Sequence, residues 1–280
     1  MKVLAGVVLY NPDISRLKEN LNAIVNQVDE LICVDNGSSN IEMVKHVAFD
    51  KKTTILELGE NLGIAAALNR ILQYAKENEF DWFITLDQDS VCMPNLISNY
   101  KEHLYVYRPG ILACSIQDRN FSISSKKIDN IEEIDECITS ASFCNTAALS
   151  EIGGFDEKMF IDSVDFDVCL NLRKHGYKIY KTGFVGILHE VGHGRNVRLL
   201  WKKRVVYNHS ALRNYYMARN HIYMAKKYSK EISMLKTIFK ELESEILILL
   251  YENEKLKKIS ARHRGVFDGL INRMGVCKWR

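Results

Sequence analysis

Short runs of apolar residues alternate with stretches of helical periodicity through the first 90 residues of the chain. The runs predict four strands, at residues 2–10, 30–35, 53–58 and 82–86. Residues 17–25 keep apolar side chains at helical spacing, and residues 64–78 are rich in Ala and Leu, so both stretches predict helices. The apolar runs are continuous, as in strands covered on both faces, and their order indicates right-handed βαβ units around a mostly parallel sheet.

The pattern becomes less regular after residue 90. It predicts a helix over 95–110, a strand over 111–116, a polar surface loop over 117–137 and a strand leading into a short helix over 140–149. Beyond Leu199 it predicts helices alone, over 201–206, 211–228 and 231–258. We therefore expect an α/β domain over residues 1–195, its sheet flanked by helices, and a basic helical extension over residues 196–280.

Three of the predicted strands end in polar turns. Tyr10 and Asn11 follow the first strand, Asp35 ends the second, and Asp87 ends the fourth. Ligands of open α/β sheets bind outside the carboxyl ends of the strands, so these residues predict a nucleotide-type ligand over one edge. Gly63, at the start of a predicted helix, would let the backbone approach an anion there. A plain loop glycine is the alternative for Gly63.

Asp87 and Asp89 stand two residues apart at the end of the fourth strand. Carboxylates are costly to bury, so the pair indicates a rim and not a core. Residues i and i+2 of an extended segment point the same way, which would aim both carboxylates at one site. Their oxygen atoms suit a hard divalent cation that also binds substrate phosphates. An acidic turn without a metal is the alternative.

A second acidic cluster, Asp162, Asp165 and Asp167, comes directly before a helical stretch. A carboxylate here is a candidate general base, but acidic residues in the first turn of a helix also stabilise the helix dipole. His189 and His193 stand four residues apart. The glycines around them argue against a helix and therefore against a zinc-binding pair.

The composition is that of a soluble globular protein, with 47% apolar and 26% charged residues. The net charge of +3 is uneven, because residues 195–280 hold 20 Lys and Arg against 7 Asp and Glu. We see no signal peptide, no apolar run of membrane-spanning length and no Cys-x-x-Cys pair, and therefore expect a cytoplasmic protein with reduced thiols. The acidic body and the lack of a known binding motif argue against nucleic-acid binding.

Six motifs follow one another along the chain: Tyr10-Asn-Pro, Val34-Asp-Asn-Gly-Ser-Ser, Asn61-Leu-Gly, Leu86-Asp-Gln-Asp-Ser, Gly153-Gly-Phe-Asp and Val164-Asp-Phe-Asp. In this order they resemble the motifs of the inverting GT-A glycosyltransferases of family 2. The resemblance covers residues 1–195, and its specificity comes from the set, since each motif is weak alone. Phe160-Ile-Asp-Ser-Val-Asp and Arg213-Asn-Tyr-Tyr-Met-Ala-Arg-Asn most resemble the bacterial rhamnosyltransferase branch, which uses dTDP-L-rhamnose to build surface polysaccharide.

The resemblance implies a nucleotide-binding role for four of the matching residues. Tyr10 and Asn11 would border the base, and Asp35 would bind the base or the ribose. Asp87 would contact the ribose or the surroundings of the metal. Asp89 would coordinate Mg²⁺ or Mn²⁺ on the diphosphate.

Asp165 matches the catalytic base of the family, and His189 matches a histidine that reaches the metal or the diphosphate in some relatives. A hydrogen-bonded structural histidine is the alternative for His189. Val164 stands where many members have Glu, and Asn171 where many have Arg. The first departure leaves Asp162 and Asp167 open as the base.

The implied activity is metal-assisted transfer of L-rhamnose from dTDP-L-rhamnose, with inversion, onto a polysaccharide or lipid-linked acceptor. A UDP-hexose donor and a non-catalytic nucleotide-sugar binding protein are the alternatives. A nucleotidyltransferase is disfavoured, because Tyr10-Asn-Pro-Asp stands where such enzymes usually carry a Gly-rich basic phosphate loop.

The basic region after residue 195 has three interpretations. It packs on the catalytic body with solvated lysines, it docks on anionic lipid at the inner face of the plasma membrane or on a lipid-diphosphate acceptor, or it forms the contacts of a homo-oligomer. The apolar run at residues 246–251 is too short to span a bilayer.

Overall fold

The structure, a computed structural model, describes residues 1–48, 52–118, 131–189, 194–199 and 201–278, apart from the side chains of Asp118 and His189. The chain divides into two compact units. The first comprises Met1–Asp156 and Asp165–Glu190, and the second comprises Glu157–Val164 and Val191–Arg280.

In its described residues, the first unit consists of one nine-stranded sheet flanked by helices. Its strands are β1 Val3–Leu9, β2 Glu30–Asp35, β3 Thr53–Glu57, β4 Trp82–Asp87, β5 Val91–Cys92, β6 Pro109–Asp118, β7 Ile131–Ile134, β8 Ser142–Asn145 and β9 Lys178–His189. Its helices are α1 Ile14–Ile24, α2 Ile41–Val47, α3 Ile64–Glu77, α4 Leu96–Glu102, α5 Thr146–Glu151 and α6 Val164–Lys174.

The strand order is β3-β2-β1-β4-β8-β6-β9-β5, with β7 paired to β9. The first four strands of this order are parallel to one another. β8 runs antiparallel to both β4 and β6, whereas β6 and β9 are parallel. The predicted α/β class, a sheet flanked by helices, is therefore confirmed. The described sheet is mixed and not mostly parallel, with four parallel and four antiparallel pairings, and three of the parallel pairings lie in the half that carries the polar strand ends.

Helix α1 has the amphipathic pattern that the sequence predicts. Asp13 caps it by accepting a hydrogen bond from the Arg16 backbone N–H at 2.9 Å. Leu17, Leu21 and Ile24 are buried in the main core of the sheet. Asn20 lies on this same buried face and is 0% exposed, so an amide stands where the helical pattern calls for an apolar side chain.

Two predictions for the middle of the chain are wrong. The helix expected over 95–110 ends at Glu102, and Arg108 adopts a φ of +44° before Pro109. A residue before proline avoids the helical region, which limits how far a helix can extend here. The loop expected over 117–137 contains strand β7, while residues 119–130 of that loop lie outside the described residues.

The second unit contains a hairpin as well as helices. Its elements are β10 Arg195–Leu199, β11 Lys202–Val206, α7 Ala211–Lys227, α8 Met234–Tyr251 and α9 Lys255–Leu270. The helix predicted over 201–206 is therefore wrong, and the helix predicted over 231–258 is two helices separated at residues 252–254. None of the described helices is both long and apolar enough to cross a membrane.

Charged side chains fill much of the interior of the second unit. α7 and α9 approach closely because Gly265 of α9 has no side chain. A Cβ at this position would lie only 2.3 Å from the Tyr215 carbonyl oxygen of α7. Arg262, 1% exposed, donates from Nη2 to Glu241 Oε2 at 2.5 Å and from Nη1 to Asn214 Oδ1 at 2.9 Å. His221 Nδ1 lies 2.6 Å from Glu241 Oε1. Glu241 therefore joins α8 to both α7 and α9.

We expect Arg262→Met to lower the free energy of unfolding by about 3–5 kcal/mol, because it leaves the buried Glu241 carboxylate without its main cation. Burial raises the pKa of Glu241, but the His221 hydrogen bond and the Arg262 charge outweigh it, so the pKa lies below the ordinary 4.5. The wild-type stabilisation is therefore present above pH 4.5 and is lost as the pH falls through the lowered pKa. Thermal unfolding between pH 3 and pH 7 measures both effects. Equal melting of variant and wild type at neutral pH would contradict the prediction.

Candidate active site

The structure brings the polar strand ends together at one edge of the sheet. Leu9 of β1 pairs with Asp35 of β2, and Val8 pairs with Asp87 of β4. Tyr10, Asp35 and Asp87 therefore leave three adjacent parallel strands at the same edge. This is the edge at which α/β sheets bind their ligands.

Gln88 links the end of β1 to the end of β4. Its Oε1 accepts a hydrogen bond from the Tyr10 backbone N–H at 2.8 Å, and its Nε2 lies 3.3 Å from the Tyr10 carbonyl oxygen. The Tyr10 side chain itself is 48% exposed. The backbone of Tyr10 is thus fixed while its ring remains available to a ligand.

Asp35 shapes the turn that follows β2. It is 2% exposed, and its carboxylate accepts backbone hydrogen bonds from Gly37 and Ser38 at 3.1 Å. The Ser38 hydroxyl accepts from the Asn11 backbone N–H at 2.8 Å, and Asn11 Oδ1 accepts from the Ser39 backbone N–H at 2.8 Å. Asp35 therefore acts on Asn11 through this turn, and a direct contact of Asp35 with nucleotide stays a prediction.

A pair of asparagines joins this turn to the start of α3. Asn36 Oδ1 accepts from the Leu62 backbone N–H at 2.9 Å, and Asn36 Nδ2 donates to Asn61 Oδ1 at 3.1 Å. Asn61 Oδ1 also accepts from the Gly63 backbone N–H at 3.0 Å. Gly63 has a φ of +92° and directly precedes α3. Its N–H already has a partner, so any anion contact would use the N–H groups that follow it.

We expect Gly37→Ala to destabilise the protein by about 1–3 kcal/mol and to weaken nucleotide binding, because the turn cannot accept a side chain. Gly37 has a φ of +84°, and a Cβ there would lie 2.7 Å from the Glu60 carbonyl carbon. Gly59→Ala is the matched control: φ is +78°, with nothing within 4 Å of the added atom. Thermal unfolding of both variants separates the backbone strain from the clash. Equal losses would contradict a role for the close approach at Gly37.

Asp87 and Asp89 occupy a turn and not an extended segment. β4 ends at Asp87, and the Ser90 backbone N–H donates to the Asp87 carbonyl at 3.3 Å. The expectation that Asp87 and Asp89 point the same way rested on an extended backbone, and it therefore does not apply to Asp89. The buried Asn20 donates to the same Asp87 carbonyl at 2.6 Å, which ties α1 to the turn. Both carboxylates belong to partly exposed residues.

The donor set of this turn fits a hard divalent cation. Among the side chains that the structure describes, no group of three or more His, Cys, Asp or Glu is arranged to hold a metal ion. A Mg²⁺ or Mn²⁺ ion held by one or two carboxylates together with substrate phosphates does not need such a group. The carboxylate oxygens of Asp87 and Asp89 therefore suit the predicted ion.

The backbone of His189 ends β9 close to this turn. β5 and β9 are antiparallel, with Val91 opposite Leu188. Because the strands are antiparallel, the residue after Leu188 lies beside the residue before Val91. The backbone of His189 is therefore near Ser90, the last residue of the turn. The side chain of His189 lies outside the described part of the structure, so its role at the metal or the diphosphate stays a prediction.

Asp165 and Asp167 both lie in the first turn of α6, where the helix dipole favours negative charge. Asp165 is partly exposed, whereas Asp167 is 1% exposed. A general base must reach its substrate, so the burial of Asp167 disfavours it.

The Cys137 and Cys169 sulfur atoms are 3.8 Å apart. Their hydrogen bond lowers the pKa of Cys137, whereas the same hydrogen bond and burial raise the pKa of Cys169.

Asp162 belongs to a loop of the second unit that α7 holds in place. Its Oδ1 accepts from Arg213 Nη2 at 3.2 Å, and its Oδ2 is buried without a hydrogen-bond partner among the described residues. Asn220 Nδ2 donates to the carbonyls of Ile161 and Asp162 at 2.7 and 2.8 Å, and the buried Arg219 donates to Met159 at 2.7 Å. Asp162 has a φ of +66°, which these contacts help to maintain.

The sequence analysis did not assign the positioning roles of Gln88, Asn20 and Asn36. A usable indication existed for Asn20, a polar residue at an apolar position of an amphipathic helix. Gln88 and Asn36 stand inside the Asp-Gln-Asp and Asp-Asn-Gly motifs. Nothing in their spacing distinguishes an amide that binds backbone from one that binds ligand.

The profile of Glycosyl transferase family 2 matches residues 5–153, which include every one of these strand-end motifs. The chain belongs to glycosyltransferase family 2. This glycosyltransferase is similar to the dTDP-rhamnosyl transferase RfbF of Shigella flexneri, with 24% identity over 296 residues that cover 96% of the chain and 95% of the relative. The similarity thus includes the second unit as well as the matched domain.

Solved structures of other glycosyltransferases share the fold of this family 2 enzyme. S. aureus TarS 1–349 in complex with UDP-GlcNAc has a TM-score of 0.64 at 15% identity, covering 98% of this chain and 82% of that TarS 1–349 chain. GalNAc-T7 with UDP, GalNAc and Mn²⁺ has a TM-score of 0.63 at 13% identity, covering 97% of this chain and 56% of that one. The predicted GT-A fold is confirmed.

Proposed function

We propose that the enzyme transfers L-rhamnose from dTDP-L-rhamnose to a saccharide or lipid-linked acceptor, with inversion at the anomeric carbon. The observation that carries the choice of donor is the similarity to a dTDP-rhamnosyl transferase over nearly the whole of both chains. The Phe160-Ile-Asp-Ser-Val-Asp segment resembles the same branch, as does the stretch of α7 that includes Arg213 and Asn220, and these two residues bind that segment. Synthesis of a surface polysaccharide is the process in which such a transfer would serve.

The donor nucleotide would bind over the edge formed by β1, β2 and β4. The exposed ring of Tyr10 would stack beside the base, and Asn11 would border it from the adjoining turn. Asp35 would set the position of Asn11 and contact the ribose where the turn allows. Asp87, at the end of the neighbouring strand, would lie on the ribose side of the diphosphate.

Asp89 would hold Mg²⁺ or Mn²⁺, with Asp87 and His189 as the neighbouring candidates for contact with the ion or the diphosphate. The fit of the turn's carboxylates to a hard cation supports this assignment, and a glycosyltransferase of the same fold was solved with Mn²⁺. When bound, such an ion supplies Lewis-acid stabilisation of the charge that grows on the leaving nucleoside diphosphate.

Asp165 would act as the general base. It would take the proton of an acceptor hydroxyl as that oxygen bonds to the anomeric carbon, while the bond from this carbon to the diphosphate oxygen breaks. The bonding electron pair leaves with the diphosphate, and a single in-line displacement inverts the centre. The partial exposure of Asp165 and its place at the start of α6 support it over the buried Asp167. Asp162, paired with Arg213, remains the competing candidate.

Thermal shift with a panel of nucleotide sugars and Mn²⁺ tests the donor assignment, since a cognate donor stabilises the fold by mass action. We expect dTDP-L-rhamnose to raise the melting temperature most. UDP-GlcNAc is the alternative to include, because a protein of the same fold binds it. A larger shift with a UDP-hexose would replace the proposed donor. Hydrolysis or transfer of the stabilising donor then separates catalysis from binding alone.

A further inference from the structure

Helix α8 buries polar side chains and exposes apolar ones. Of its buried residues, Thr237, Glu241 and Ile248, two are polar. Its exposed side carries a continuous row of large apolar side chains, each at least 46% exposed. This row, the α8 stripe, consists of Leu235, Phe239, Leu242, Ile246, Leu249 and Leu250. Their spacing of i, i+4, i+7, i+11, i+14 and i+15 places them on one face of the helix.

Packing among the described residues of the second unit does not account for the α8 stripe. The inner face of α8 is fixed by the Glu241 contacts with Arg262 and His221. An apolar row of this length, left in water on the outside of a helix, is characteristic of a surface that meets an apolar partner.

The β10–β11 hairpin lies beside this helix and brings positive charge. Arg204 on β11 pairs with Glu243 of α8 at 2.6 Å, and the Tyr251 hydroxyl donates to the Arg198 carbonyl. Arg198 and Lys203 are directly opposite in the hairpin, so their side chains share the face opposite to Arg204. Both are exposed.

The tip of the hairpin adds an aromatic side chain to these cations. Trp201 is 90% exposed and is followed by the exposed Lys202 and Lys203. Tryptophan prefers the boundary between water and lipid, because its ring is apolar and its N–H is polar. Lysine and arginine side chains at that boundary attract anionic headgroups.

We propose that the α8 stripe and the β10–β11 hairpin together form a docking surface for an anionic lipid bilayer. The stripe enters the boundary between headgroups and acyl chains, as the apolar face of an interfacial helix does. The hairpin cations lie against the headgroups, and Trp201 anchors the tip. Charge complementarity selects this occupant: residues 195–280 carry 13 more positive than negative side chains.

A second copy of the chain is the competing occupant, and the position of the hairpin disfavours it. When two identical helices pair antiparallel, the same edge of each meets its equivalent. The hairpin borders one edge of α8, so this pairing would place both hairpins, each with an exposed Arg198 and Lys203, on the same side of the helix pair. Positive charge that accumulates on one side of a pair opposes association.

The test is flotation of the full-length protein with vesicles of phosphatidylcholine, with and without phosphatidylglycerol. We expect binding to the anionic vesicles that weakens as salt rises, and at least tenfold weaker binding to pure phosphatidylcholine. Lys202→Glu/Lys203→Glu is expected to reduce binding about tenfold or more. The matched control is Lys18→Glu/Lys101→Glu, which makes the same charge change at exposed positions of the first unit and should bind as wild type.

Phe239→Ser/Leu242→Ser removes the centre of the stripe and should also reduce binding at least tenfold, with Met43→Ser/Tyr105→Ser as the control for exposed apolar residues. All four substituted residues are exposed, so thermal unfolding should show each variant folded. Absence of vesicle binding by the wild type overturns the proposal, as does binding indifferent to phosphatidylglycerol and salt. A dimer in light scattering that Phe239→Ser/Leu242→Ser converts to a monomer assigns the stripe to a second copy instead. None of these readouts depends on sugar transfer.

Discussion

Asp165→Asn is expected to lower kcat about 10²–10⁴-fold while donor binding stays near wild type. The amide keeps the size of the side chain and its place in the first turn of α6, but it cannot accept a proton from the acceptor. The loss should therefore appear in kcat and not in the Kd for the nucleotide. Single-turnover transfer and nucleotide titration calorimetry measure the two quantities separately.

Asp162→Asn is the informative comparison for that experiment. The Asp162 carboxylate pairs with Arg213, so its neutralisation should disturb the loop and reduce stability without removing the base. If Asp165→Asn retains turnover and Asp162→Asn loses it, the assignment of the base passes to Asp162. Retention by both variants would leave Asp167 as the remaining carboxylate, despite its burial.

Asp89→Asn is expected to reduce transfer on the order of 10³-fold, equivalent to about 4 kcal/mol of lost transition-state stabilisation. The decisive measurement is the affinity for the nucleoside diphosphate with and without Mn²⁺. Wild-type affinity should depend on the metal, and the affinity of the variant should equal the metal-free value in both conditions. The reason is that an amide oxygen binds a hard cation much less strongly than a carboxylate.

Glu102→Gln, at an exposed position at the end of α4, makes the same chemical change away from the strand ends and serves as the control. Its metal dependence should match that of wild type. If Asp89→Asn keeps a metal-dependent affinity, the ion is held elsewhere in the turn, and Asp87→Asn becomes the variant to measure.

Most of the first unit could be predicted because its elements repeat a strong local pattern. β1, β2 and β4 are continuous apolar runs followed by polar turns, a pattern typical of buried parallel strands. The shared edge followed from the βαβ order alone. Asp35 shows where this reasoning stops, because its burial and its two backbone partners depend on the turn geometry and not on its place after a strand.

The errors in the second unit arise where local patterns are short or lack breaker residues. The six residues from Trp201 to Val206 fit a helix turn or a strand equally well, and pairing with β10 decides between them. Neither Gly nor Pro marks the break between α8 and α9; Glu254 adopts a φ of +50° there, and Lys258 pairs with Glu252 at 2.8 Å. Such tertiary contacts cannot be read from sequence periodicity.

The side-chain amide of Gln88 binds only main-chain atoms of Tyr10. The position of the backbone at residue 10 therefore does not depend on the side chain that this residue carries. The ring at position 10 can be exchanged for another side chain without loosening the tie between the strands. With the ring placed beside the base as proposed, substitution at this single position would change the base preference while the acidic turn keeps its alignment. Related enzymes that accept different nucleotides would then be expected to retain the glutamine and vary the residue that it holds.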